Sequence, residues 1–282
     1  MSADVLHIRT MRPDEIPLAI DWAAAEGWNP GLADAACFAT VDPDGFLIGE
    51  IDGVPAATIS CVNYDKHFAF LGFYIVRPEL RGRGYGLSIW NAAIAHAGSR
   101  IIGLDGVVAQ QHNYEKSGFI RAYANIRYGG LASVPDTANE DILALNEIPL
   151  SRVEAYDATV FPAARSAFLR AWIASPGHIG RALVRDGALT GWGVLRPCRS
   201  GFKIGPLFAD DRAAAEAVLA ALLAGIDGSE IFLDVPAVNA EAVALATSLG
   251  LKPVFETARM YTGAIAALRL DQVFGVTTFE LG

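Results

Sequence analysis

Two strand-like apolar runs, residues 46–51 and 54–63, flank Asp52-Gly53, a pair that favours a tight hairpin turn. Residues 67–76 follow with apolar side chains on both faces, which predicts a strand covered on both sides. Around them the pattern predicts a strand over 5–10, a helix over 13–26 and a second helical piece over 29–38. Pro13 stands in the first turn of its helix, where a missing N–H costs little. A helix over 84–97, a strand over 101–107, a short helix over 113–117 and a last strand over 119–128 complete the series. The hairpin strands precede the crossover helix, so the unit is mixed α/β rather than doubly wound.

The second half repeats features of the first. Asp186-Gly187 echoes Asp52-Gly53, and Leu233-Asp234 echoes Leu104-Asp105. Gly250 echoes Gly118 at the end of a helix, and Arg259 echoes Arg127. These matches keep their order at offsets of 129–134 residues, which predicts a duplicated unit. The expected division is 1–132, a linker over 133–150 broken by Pro135-Asp136-Thr137, and 151–282.

Composition narrows the function. With 52% hydrophobic residues in 282, each half has enough apolar material for a core, which excludes a disordered chain. A net charge of -9 disfavours generic nucleic-acid binding. Three scattered cysteines, Cys37, Cys61 and Cys198, support neither a metal ribbon nor a redox pair. No metal is expected. The first ten residues carry no signal-like run, and the greasiest stretch, 213–226, is too short to span a bilayer. A soluble cytoplasmic protein with no membrane partner is expected.

The loop after the third strand carries the chemistry. Arg81-Gly82-Arg83-Gly84-Tyr85-Gly86 joins a strand to a helix, and its glycines let backbone approach a ligand closely. N–H groups at a helix start, together with the helix dipole, favour an anion. Arg77, Arg81 and Arg83 concentrate positive charge on this loop of an acidic chain, so a phosphate or pyrophosphate ligand is expected. A dinucleotide fingerprint fails, because its third small position falls on Ile89 or Leu87. No GKS or GKT is present for a nucleotide P-loop.

The loop resembles motif A of the GNAT superfamily of N-acyltransferases, R/Q-x-x-G-x-G/A, through Arg81, Gly84 and Gly86. Tyr114-Glu115-Lys116-Ser117-Gly118-Phe119 resembles its motif B, Y-x-K-x-G-F. The resemblance covers residues 5–128, and 151–282 looks like a second GNAT-type unit, so the implied fold is two tandem GNAT-type α/β units. It implies acetyl-CoA as cosubstrate, entering between splayed fourth and fifth strands. The main chain near Val76 would pair with the pantetheine arm. Backbone N–H groups of Arg81, Gly82, Arg83, Gly84, Tyr85 and Gly86 would hold the pyrophosphate, and Asn113 would touch the arm. Tyr114 matches the general acid. With a pKa near 10 against roughly 8.5 for a thiol, a tyrosine keeps its proton at neutral pH and can deliver it to a departing sulfur.

The stretch aligned with this loop in the second half, 205–214, has no glycine fan and carries Asp210 and Asp211, and Ala246 stands where Tyr114 stands. The second unit is therefore expected to be non-catalytic and to help form the acceptor pocket, with residues 1–132 keeping some coenzyme affinity alone. The acceptor, an amine of a small molecule or peptide, is expected near Trp28, Asn29 and Tyr74, with His67, Glu50 and Asp65 as candidate bases. A homodimer is left open. Besides the N-acetyltransferase reading, a non-catalytic acyl-CoA-binding sensor and a nucleotide-binding oxidoreductase stay open. Tyr114 argues against the first of these and Ile89 against the second.

Overall fold

A computed structural model describes residues 5–133 and 141–282. The breaker Pro135-Asp136-Thr137 lies outside the described residues. In the first half the order is β1 (His7–Thr10), α1 (Ile16–Ala25), α2 (Asp34–Phe38), β2 (Phe46–Ile51), β3 (Val54–Asn63), β4 (Phe68–Val76), α3 (Tyr85–Ala97), β5 (Ile101–Val107), α4 (Gln111–Lys116) and β6 (Ile120–Leu131). In the second it is β7 (Ile142–Ala144), α5 (Leu150–Val160), α6 (Ser166–Ala174), β8 (Ile179–Arg185), β9 (Ala188–Pro197), β10 (Phe202–Ala209), α7 (Arg212–Leu223), β11 (Glu230–Pro236), α8 (Ala240–Ser248), β12 (Lys252–Tyr261) and β13 (Val273–Gly275). Both hairpin turns place the Asp and the Gly at positive φ, 50° and 78° at Asp52-Gly53 and 50° and 76° at Asp186-Gly187. Both central residues of a type I′ turn need such angles.

The two units share one sheet, in the order β1-β2-β3-β4-β5-β12-β6-β11-β10-β9-β8-β7. The middle of this order departs from two self-contained units. β12 pairs antiparallel with β5, and β6 pairs antiparallel with β11. The first half has handed β6 to the second and the second has handed β12 to the first, and these two strands pair with each other at the centre. A fragment ending at residue 132 would lack the strand that covers the edge of β5. An autonomous first unit is therefore not what this topology provides, because an uncovered central edge has no partner for its N–H and C=O groups.

Two of the sequence echoes meet across this exchange. Arg127 on β6 donates to Asp234 on β11 at 2.6 and 2.8 Å, and Arg259 on β12 donates to Asp105 on β5 at 2.9 and 2.8 Å. Each arginine of one repeat pairs with the aspartate of the other. All four side chains are buried, so each charge relies on its partner.

One face of the sheet is covered by α1, α2, α5 and α6 around a shared core that includes Phe38, Phe73, Trp172 and Trp192. On the other face α3 packs Ile89, Trp90 and Ala93 over Leu71, Leu104 and Met260. Helices α7 and α8 pack Val218, Leu222 and Leu245 over Leu233 and Ile204. The expected second helix over 29–38 is shorter. Residues 29–33 instead dock on the β9–β10 connection, where Leu32 N–H donates to the Pro197 carbonyl at 3.0 Å and Arg199 N–H to that of Pro30 at 3.3 Å. No helix among the described residues is long and apolar enough to cross a membrane.

Candidate functional site

β4 and β5 run parallel from Phe68 opposite Ile101 to Leu71 opposite Leu104, and there the pairing stops. Just beyond, the register of β4 against β3 shifts, so that Gly72 faces Ser60 and Ile75 faces Thr58. Phe73 sits at φ 48°, a left-handed value that is rare for a bulky residue. This is a β-bulge, which bends a strand and takes backbone groups out of the ladder. It also flips the side-chain alternation. Ala69 and Leu71 face α3, Phe73 and Ile75 face α1, and Tyr74 and Val76 face α3 again. The two strands then separate around a cleft of about 430 Å³. Its lining includes Val76, Arg81, Gly82, Gly86, Tyr114 and Asp105.

The arginine-glycine loop closes one end of the cleft. Gly82 and Gly84 adopt φ of 77° and 88°, and Gly84 caps α3 without any side-chain hydrogen bond. From its N-cap, α3 accepts at the Gly84 carbonyl from Ser88 N–H, at 3.2 Å. The preceding turn thus presents its N–H groups outward, as helix starts do. A Cβ on Gly86 would stand 2.6 Å from the Tyr74 hydroxyl oxygen, so only glycine lets the helix start approach β4 this closely. Arg81 lines the cleft and also holds the loop. Its Nε donates to the Val76 carbonyl at 2.8 Å, and its guanidinium pairs with Glu26 at the end of α1. Open strand edges, a glycine-capped helix start and local positive charge together fit a pantetheine arm ending in a pyrophosphate.

Tyr114 lies on α4 with its ring stacked on Trp90, centroids 5.4 Å apart, and edge-on to Phe119. It is buried, and desolvation raises its pKa well above the ordinary tyrosine value, with the nearby Tyr74 adding to the shift. A hydroxyl of this kind stays protonated at neutral pH.

The other sequence-derived candidates separate. Trp28 lines the cleft, and its carbonyl accepts from Arg127 at 2.7 Å and from Lys203 at 3.0 Å. Tyr74 lines it on the α3 side, against Trp90 at 5.4 Å, because the bulge turned it away from the α1 side. Asn29 exchanges two hydrogen bonds with Ser200, 2.9 Å each, and clamps the α1–α2 loop to the second half. Asn113 is exposed and donates to the Gln110 side chain at 2.8 Å. Arg83, Gly84 and Tyr85 belong to the loop but are not among the lining residues. Of the candidate bases, His67 and Asp65 lie in the turn before β4, at the end opposite Val76, and Glu50 is held by Arg9 at 2.6 Å.

Sequence reading missed part of the wall. Phe255 and Thr257 come from the exchanged strand β12, and Phe279 and Glu280 come from the segment after β13. Gly72, inside an otherwise apolar strand, was the available signal for the bulge. The backbone of Glu280 packs so closely on it that a Cβ at Gly72 would lie 2.2 Å from the Glu280 carbonyl oxygen. Nothing local marked residues 279 and 280.

The second half has the same splay and fills it. β10 and β11 pair in parallel from Phe202 opposite Ile231 to Ile204 opposite Leu233. Then β13 enters, pairing antiparallel with β10, and Val276 N–H donates to the Asp234 carbonyl on β11 at 2.8 Å. The chain's own backbone thus occupies the gap. At the start of α7, Asp211 caps the helix by accepting from Ala214 N–H at 2.7 Å, and Asp210 accepts from Tyr156 and Gln272 at 2.9 and 2.8 Å. Ala246 is buried in the core under α7.

Comparison with known proteins gives this geometry its family. Residues 12–119 match the model of the acetyltransferase (GNAT) family, and residues 153–275 match an acetyltransferase (GNAT) domain model. The holothin acyltransferase of Pseudoalteromonas sp. (strain SANK 73390) is 30% identical over 270 residues, covering 95% of this chain and 92% of that protein. In fold, a putative acetyltransferase from Pyrococcus horikoshii superposes with a TM-score of 0.84 at 24% identity, over 100% of this chain and 97% of that one. A tandem GNAT protein from the clavulanic acid biosynthesis pathway superposes with a TM-score of 0.63 at 14% identity, over 93% and 99%. The chain belongs to the GNAT family of acyltransferases, as a tandem GNAT protein with two GNAT-type units.

Proposed function

We propose that this acyltransferase moves an acetyl group from acetyl-CoA to a primary amine of a small molecule, amino acid or peptide, in the cleft of the first unit. The observation that carries the reading is the open β4–β5 splay, with the protonated Tyr114 in its wall. The bound thioester supplies an activated acyl carbon. Backbone N–H groups displaced at the Gly72-Phe73 bulge are placed to receive the negative charge that builds on the acyl oxygen. Tyr114 hydrogen-bonds the departing sulfur and gives it a proton as the C–S bond breaks. The loop over Arg81, Gly82, Arg83, Gly84, Tyr85 and Gly86 receives the pyrophosphate. Asn113, exposed beside the cleft, touches the pantetheine arm only after turning from Gln110.

The walls on the α1 side, Trp28, Phe255 and Phe279, suit the flat or apolar body of an amine. The relative named holothin acyltransferase supports acyl transfer by this chain. We place the protein in the cytoplasm, where three buried, unpaired cysteines stay reduced. The test is release of free thiol from acetyl-CoA by the purified full chain, with a panel of primary amines. Turnover that depends on an amine supports the reading. Coenzyme binding without turnover of any amine would leave only a binding protein.

A further inference from the structure

The cleft of the first unit needs a group to take a proton from the acceptor amine, which is an ammonium ion at neutral pH and cannot attack until it loses one. Among the lining residues the carboxylates are Glu26, Asp105 and Glu280. Glu26 is paired with Arg81 at the mouth. Asp105 accepts both arms of the Arg259 guanidinium and the Asn125 amide at 2.8 Å, so its lone pairs are engaged. Glu280 differs. It is 3% exposed, yet among the described residues no hydrogen bond and no ion pair reaches its carboxylate. A buried carboxylate without a partner is costly, and such groups collect at functional sites.

Its placement is fixed from the backbone. The Glu280 carbonyl lies against Gly72, at the bulge where the acyl oxygen is to be held. Leu281 N–H donates to the Thr278 hydroxyl at 2.9 Å, and the Tyr64 hydroxyl donates to the Leu281 carbonyl at 2.7 Å. Thr257, also in the wall, keeps a buried hydroxyl oxygen without a partner. Glu280 and Thr257 therefore offer acceptor atoms, and an ammonium ion offers donors.

We propose that Glu280, carried by the segment that leaves the second unit, is the general base of the first unit's active site. This rests on the acetyl-transfer reading above. The carboxylate takes one proton from the bound ammonium and leaves a neutral amine. The nitrogen lone pair forms the C–N bond while the carbonyl π pair moves to oxygen. As that pair returns, the C–S bond breaks and its electrons take the proton of Tyr114. The surplus proton on nitrogen restores Tyr114, and Glu280 releases its own to water. One amide and one thiol result, and the sum is one proton delivered to solvent.

The charges facing Glu280 are Lys203 on β10, Arg127 on β6, Arg196 on β9 and Asp34 on α2, with Glu26 and Asp105 across the cleft. Arg127 and Arg196 are already paired, with Asp234 and Asp34. Burial raises the pKa of Glu280 above the ordinary carboxylate value, against the pull of Lys203 and Arg127. The base should thus lose activity on acidification at a higher pH than an exposed glutamate would.

The experiment compares wild type, Glu280→Gln and Glu280→Asp as full chains, with acetyl-CoA and methylamine, glycinamide, 2-phenylethylamine and hydroxylamine. Melting temperature and acetyl-CoA affinity are measured first, and both should match wild type. For the ammonium acceptors, kcat of Glu280→Gln should fall about 10²-fold. The acid limb of kcat/KM should vanish, and Glu280→Asp should restore part of the rate. Hydroxylamine, largely neutral at pH 7, should show a smaller loss. An unchanged kcat and acid limb in Glu280→Gln, with wild type active, overturns this assignment and leaves the transferase reading standing. Equal losses for hydroxylamine and the ammonium acceptors would show a structural role and overturn it too. Failure of wild type to turn over any amine overturns both.

Discussion

The starts of α3 and α7 occupy the same place in two copies of one fold, and their first-turn N–H groups are handled in opposite ways. At α3 a glycine at φ 88° caps the helix, no side chain fills the turn, and arginines stand nearby. At α7 Asp211 has folded back onto the first turn, and its carboxylate holds the N–H that an anion would use. The strand gaps differ in parallel. Between β4 and β5 the gap stays open beyond Leu71, whereas between β10 and β11 it is closed by β13. The second copy is not an eroded site with empty space. It satisfies from within the backbone groups that the open gap of the first copy leaves unpaired, as buried backbone must be. The segment following β13 runs on from there and walls the first copy's cleft with Phe279 and Glu280.

The strongest test of this contrast is coenzyme stoichiometry. Calorimetry should find one acetyl-CoA per chain. Gly84→Asp should abolish binding and the thermal shift, because it sets a carboxylate where Asp211 sits in the other copy. Gly84→Asn, which tolerates positive φ without the charge, should keep part of the affinity. Two sites per chain, or equal loss in both variants, would break the comparison.

The exchanged strands predict the next largest effect. Arg259→Met leaves Asp105 buried without a partner and should cost about 3–5 kcal/mol in chemical denaturation. The double change Arg259→Met with Asp105→Leu should recover most of that loss, since both charges then go together. Unfolding should stay a single transition in every variant, because neither half holds a complete sheet alone. Two resolved transitions would mean that the copies are independent after all.

Tyr114→Phe comes third. It keeps the ring against Trp90 and removes only the hydroxyl. Turnover should fall at least tenfold, with acetyl-CoA affinity nearly unchanged. A rate near wild type would hand the acid role to water.

The smallest effect is a pH dependence that starts in the second copy. Burial lowers the pKa of His178 from 6.5 to about 4, and its ring packs edge-on to Trp172. The unfolded chain binds this proton more tightly, so the folded state loses stability as pH falls from 6.5 through about 4 and gains none above that window. The melting temperature should decline there for wild type and less for His178→Phe. The first copy should melt with the second, reported by acetyl-CoA release at the same temperature.

Much of the architecture was readable because it is written locally. The two Asp-Gly turns, the run 68–76 and the glycine loop each depend on neighbours in sequence, and they fell where the patterns put them, within a few residues. The duplication was readable through pairs such as Asp105 with Asp234 and Arg127 with Arg259. That reading located the residues but not their partners. Alternation along β4 failed at one point, since a bulge at Gly72-Phe73 shifts every later side chain to the other face, and Tyr74 went with it. Asn29 was expected at the acceptor pocket because the resemblance puts the loop between the first two helices there, whereas Ser200, distant in sequence, holds both ends of its amide.

By itself, the sequence determined two copies of one mixed α/β unit, one of them carrying a glycine- and arginine-rich loop and a tyrosine further on. These features rest on turn chemistry, hydrophobic period and residue type, all short-range. Only the tertiary structure decided that β6 and β12 change places, that Arg127 meets Asp234 and Arg259 meets Asp105, and that Glu280 reaches the cleft of the other copy. Strand pairing across a hundred residues depends on which edges find complementary backbone and charge after collapse, and no local pattern encodes that choice.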